Sequence, residues 1–112
     1  MAIKEIKLGI WREFVPSYVA TRYCFQIKTV NDDGTEYSFL PTLTYKGDWN
    51  EHLSYTLRMI NDAYDGDKIK LKKIGTAILQ NYHILAEKYY LTGEMADRMK
   101  EIGSCLFRGI IR

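Results

Sequence analysis

The sequence predicts an α+β fold: an N-terminal antiparallel β-meander of about three strands over residues 1–46, then about three helices over 48–112, forming one compact domain. Three observations predict it. Apolar residues alternate with a period of two through the first third of the chain, a Gly-containing turn joins two such runs, and after Lys46-Gly47 the apolar spacing changes to three and four.

The first strand is expected over Lys4 to Phe14, where Ile6, Leu8 and Ile10 alternate with Lys7 and Gly9 until Pro16 interrupts. From Tyr18 to Val30, the residues Val19, Thr21, Tyr23, Phe25 and Ile27 share one face, and Tyr18, Arg22, Cys24, Gln26 and Lys28 share the other. Asn31-Asp32-Asp33-Gly34 supplies the turn, with Gly34 suited to a positive φ, and Tyr37, Phe39 and Leu43 continue on a third strand. Pro41 has no N–H to give a ladder, so that strand is an edge or is bent there.

Asp48 is placed to cap a first helix, with Glu51 three residues on and Trp49, Leu53, Leu57, Ile60 and Tyr64 on one face, ending at Gly66. A second helix carries Ile74, Ala77, Ile78, Leu85 and Tyr89 on its apolar side, widened by Leu79 and Ile84. Thr92 caps a third, in which Met95, Met99 and Ile102 align and Glu94 sits four residues before Arg98. Gly103 is expected to stop this helix. Residues 105–111 then return as a short C-terminal strand, or else the helix runs on to about Phe107 at a glycine cost near 1 kcal/mol.

Composition narrows the function. A chain of 112 residues that is 46% hydrophobic, with a net charge of +2, can bury a core of its own and is not disordered. The start alternates charged and apolar residues, unlike a signal peptide, and the longest nearly apolar stretch, near 74–86, is too short to span a bilayer. With only Cys24 and Cys105 there is no disulfide framework, so a reducing, cytoplasmic setting is expected. Charge is uneven: +1 over 1–47, −4 over 48–67 and +5 over 68–112.

The motifs of common chemistries are missing. There is no phosphate-binding Gly-rich loop, and an EF-hand reading of the Asp-rich segment fails because its third and twelfth positions are Ala63 and Lys72. Zinc on Cys24, Cys105, His52 and His83 would need four isolated ligands to converge, without CxxC or HxxxH spacing. No catalytic residues, metal or cofactor are therefore expected. What stands out is nine Tyr, four Phe and two Trp in so short a chain, more rings than a small core hides. Trp11, Tyr18, Arg22 and Tyr45 make an aromatic and basic surface of the kind that concentrates binding energy for a protein partner or a second copy of the chain. Small chains without catalytic motifs are common among accessory proteins of phages and mobile elements, so an adaptor or inhibitor is the expected type. The alternative is single-stranded nucleic acid, with bases on the aromatic rings and phosphates on Lys28, Lys68, Lys70, Lys72 and Lys73, although a pI near 8.5 is low for a dedicated nucleic-acid domain.

Overall fold

The computed structural model of the protein describes residues 1–111; Arg112, counted above in the basic segment, lies outside them. Three antiparallel strands come first: β1 (Ile3–Val15), β2 (Ala20–Asn31) and β3 (Glu36–Phe39), in the spatial order β1-β2-β3. Three helices follow: α1 (Trp49–Ala63), α2 (Lys68–Lys88) and α3 (Gly93–Arg108). This is the predicted α+β arrangement.

The register sets the two faces of the sheet. Ile6 lies opposite Thr29, Leu8 opposite Ile27 and Ile10 opposite Phe25, and this face meets the helices. Lys7 opposite Lys28, Trp11 opposite Cys24 and Glu13 opposite Arg22 lie on the other. Phe25 and Ile27 are fully buried, as are Leu53, Leu57 and Ile60 of α1, Ile74 and Ile78 of α2, and Met99, Ile102 and Leu106 of α3, so one core draws on both layers. Within it, the Tyr64 hydroxyl donates to Asn31 Oδ1 (3.0 Å) and is hydrogen-bonded to the Thr29 hydroxyl, joining the end of α1 to the sheet. Burial raises the Tyr64 pKa, so the phenol stays protonated.

Along β1 and β2 burial fades toward the turn. Trp11 is 50% exposed, Phe14 61%, Tyr18 76% and Val19 80%, so the hairpin tip extends past the helices that cover its base. At the tip the chain departs from the sequence reading. Tyr18 does not begin a strand; Pro16–Tyr18 forms a 3-10 turn, closed by the Val19 N–H on the Pro16 carbonyl (3.2 Å), because Pro16 pre-sets the turn dihedral.

Other boundaries differ for physical reasons. The third strand ends at Phe39, and the chain bends at Pro41 before Leu43 drops into the core and Thr42 bridges to Cys24. That bend covers Cys24, which alternation had placed on the polar face. Asp67 accepts from the amides of Ile69 and Lys70 and starts α2 several residues earlier than its apolar spacing suggested. Ile84, expected in the buried face, is 53% exposed.

At the C-terminus the second of the two alternatives holds, the helix that runs on past Gly103. Among the described residues there is no C-terminal strand, and α3 continues through Gly103 to Arg108. Gly103 is a contact point rather than a stop: a Cβ there would come 2.6 Å from Ile78 Cγ2, and one on Gly75 would come 2.6 Å from the Gly103 carbonyl. The two glycines let α2 and α3 cross backbone against backbone, which offsets the helix-propensity cost.

Candidate functional site

Between the hairpin tip and the segment 42–47 lies a cleft of about 460 Å³. Tyr18, Thr21 and Arg22 line one side, and Thr44, Tyr45 and Lys46 the other. The elements that hold these walls come from all parts of the chain.

The hairpin wall is built by strand pairing. Arg22 is ion-paired and hydrogen-bonded across the ladder with Glu13, which fixes a guanidinium at the cleft rim. Tyr18 stands on the 3-10 turn, and Val19 follows it in a left-handed conformation (φ 47°), unusual for a β-branched residue.

The opposite wall is a loop tied down residue by residue. Phe25 N–H donates to the Pro41 carbonyl and Leu43 N–H to the Tyr23 carbonyl, both at 2.8 Å, while Tyr23 N–H donates to Thr44 Oγ1 (3.2 Å). Arg98 of α3 donates to the carbonyls of Leu43 (2.8 Å) and Tyr45 (3.1 Å) while its guanidinium lies 4.6 Å from the centre of the Trp49 ring. Glu94 pairs with Arg98 at 3.0 Å, as its spacing predicts, and Glu101 accepts from Trp49 Nε1 (2.7 Å). Thr42 N–H donates to His52 Nε2 (3.0 Å), and the Tyr45 ring stacks on that imidazole with centroids 4.4 Å apart. The Tyr45 ring also lies against Gly47, where a Cβ would come 2.7 Å from it, so a side chain there would displace the ring. Burial, and secondarily the charge of Arg98, hold the His52 pKa below the usual histidine value.

Three of the four residues selected from sequence, Tyr18, Arg22 and Tyr45, therefore line one cleft. Trp11 does not line it; it lies opposite Cys24 on the face that also carries Arg22. The lysines do not gather with them. Lys28 pairs with Glu36 (3.2 Å) and Lys70 with Asp67 (3.6 Å), Lys73 donates to the Ile3 carbonyl (2.7 Å), and Lys72 lies 4.9 Å from the centre of the Phe107 ring. Lys68 is exposed at the start of α2. Since Lys73 reaches the first residue of β1 and Arg22 faces Glu13 near its last, the α2 lysines stand roughly 30 Å from Arg22 along the strand, and Lys28, six residues from Arg22 on the same face of β2, stands roughly 20 Å away.

Sequence reasoning missed the parts His52 and Arg98 play in holding the cleft, because no local spacing links them to residues 42–45. Lys46 and Thr44 were missed because nothing local sets them across from the hairpin tip. Among the described residues no three of His, Cys, Asp or Glu come together as a metal site, and no helix is long and apolar enough to cross a membrane. Both cysteines are buried thiols. Comparisons with models of protein families, with curated proteins and with solved structures find no match.

Proposed function

We propose that this protein is a small non-enzymatic binding module, of the adaptor or inhibitor type, that takes a protein partner in the cleft at its hairpin tip. Tyr18, Arg22 and Tyr45 are the anchors, and Trp11 extends the contact along the sheet. One observation carries the reading: aromatic and guanidinium side chains converge on one open cleft, on backbone that is already hydrogen-bonded in place. Large, rigid, amphipathic side chains of this kind dominate binding energy when a partner excludes water from them, and a preformed wall lowers the ordering cost.

Single-stranded nucleic acid is the weaker reading. Phosphate binding along a strand needs cations that track the aromatic rings, whereas Lys28, Lys70 and Lys73 already serve Glu36, Asp67 and the Ile3 carbonyl.

A photo-crosslinking residue placed at Tyr18 tests the proposal, with the same residue at Tyr90, 93% exposed and outside the cleft, as the control. The expected result is a protein adduct specific to position 18. Once purified, that protein should bind the native chain and lose at least about tenfold in affinity on Tyr45→Ala. Equal adducts at both positions, or salt-sensitive binding of a mixed-sequence DNA oligonucleotide that Tyr18→Ala abolishes, would overturn it.

A further inference from the structure

Among the described residues β1 has a neighbouring strand on one side only, and its other edge runs the length of the sheet. The residues that turn their backbone toward that edge follow from the pairing of β2. Tyr23 and Phe25 bond toward residues 41–44, so Arg22, Cys24 and Gln26 bond toward β1, where Glu13, Trp11 and Gly9 face them. Ile6, Leu8, Ile10, Arg12 and Phe14 therefore present their N–H and C=O groups outward. Such an edge is a template for another strand.

We propose that β1 pairs antiparallel with β1 of a second copy of the chain, with Ile10 opposite Ile10 on the two-fold axis. The side chains select this register. It sets each Lys7 opposite Glu13 of the second copy and each Trp11 opposite Gly9, where the ring covers the backbone that glycine leaves bare. Shifting the axis to Gly9 opposes Glu5 to Glu13, shifting it to Leu8 opposes Lys4 to Arg12, and shifting it to Arg12 opposes two arginines, so each of these sets like charges together. Shifting it to Trp11 removes the Lys7–Glu13 pair.

The register also gives Phe14 a place. Opposite Ile6, it meets a groove of about 200 Å³ between β1 and α2, lined by Ile6, Leu8, Ala77, Ile84 and Leu85. Phe14 and Ile6 lie on the same, helix-facing side of the sheet. The pairing thus covers two side chains that the single chain leaves open, Phe14 at 61% and Ile84 at 53% exposure. Tyr18 and Tyr45 of the cleft lie outside this seam, whereas Trp11 and Glu13, the partner of Arg22, lie within it.

Sedimentation of the intact protein over a concentration series should show a species of twice the chain mass, and Phe14→Ala, an exposed position, should weaken its formation at least about tenfold. Lys7→Glu should weaken it as well, and Lys7→Glu combined with Glu13→Lys should restore it. Oxidation tests the register directly, because directly opposed residues of a hydrogen-bonded pair lie about 5.5 Å apart at Cα, within disulfide reach. Ile10→Cys should crosslink to itself. Leu8→Cys and Arg12→Cys should crosslink only when mixed, and the native chain, with both cysteines buried, should not crosslink. A single-mass species at every concentration, or self-crosslinking of Leu8→Cys equal to that of Ile10→Cys, would overturn the proposal.

Discussion

The imidazole of His52 accepts, at Nε2, a hydrogen bond from the backbone N–H of Thr42 3.0 Å away. Only the neutral ring has a lone pair there, and burial followed by the Arg98 charge lowers the folded-state pKa below 6.5. Above that value both the folded and the unfolded chain are neutral at this site, and stability does not change. As pH falls through 6.5 the unfolded chain takes up a proton that the folded one refuses, so stability is lost progressively down to the folded pKa. Urea midpoints compared at about pH 7.5 and about pH 5 should show this loss in the native protein and a smaller one in His52→Gln. Equal slopes in the two proteins would remove His52 from the account.

Tyr64→Phe tests the link between α1 and the sheet. Removing the hydroxyl leaves Thr29 and Asn31, both buried, without their shared partner. The expected cost is about 1–3 kcal/mol by urea denaturation. Adding Thr29→Val should recover part of it, because the hydroxyl left unsatisfied is then gone; no recovery would place the cost in ring packing.

Gly75→Ala should destabilise the protein by about 1–3 kcal/mol even though alanine favours helix by about 1 kcal/mol, since its methyl group meets the α3 backbone at the crossing. Gly93→Ala, where a Cβ meets nothing within 4 Å, should be neutral or stabilising. Thermal melts of the pair check this, and equal shifts would mean that α2 and α3 have room for a methyl group at the crossing.

Val19 holds φ at 47° with its side chain 80% exposed, so the backbone conformation is strained and the side chain gives little packing in return. Val19→Asn, a residue that tolerates this conformation, should stabilise the protein by up to about 1 kcal/mol. A lower denaturation midpoint for the variant would show that the valine contributes contacts at the tip.

Most of the fold was legible because its signals are local. Alternation found β1 and β2, Pro41 marked the bend, and Asp48 and Thr92 cap their helices as their positions suggested. The failures are long-range. Gly103 reads as a stop until Gly75 and Ile78 of another helix are set against it, and Cys24 reads as surface until residues 41–43 fold over it. The candidate site divides in the same way. Tyr18, Arg22 and Tyr45 were accessible to sequence because aromatic and guanidinium groups are conspicuous, whereas His52 and Arg98 act on a loop 10 and 55 residues away.

The reach of the hairpin beyond the helices has a consequence for how this protein changes over generations. Residues 14 and 16–19 are all exposed, so substitutions there scarcely touch the core that Phe25, Ile27 and their helical neighbours maintain. Sequence change at the tip is thereby uncoupled from the survival of the fold, and a lineage can rewrite the turn while inheriting the scaffold intact.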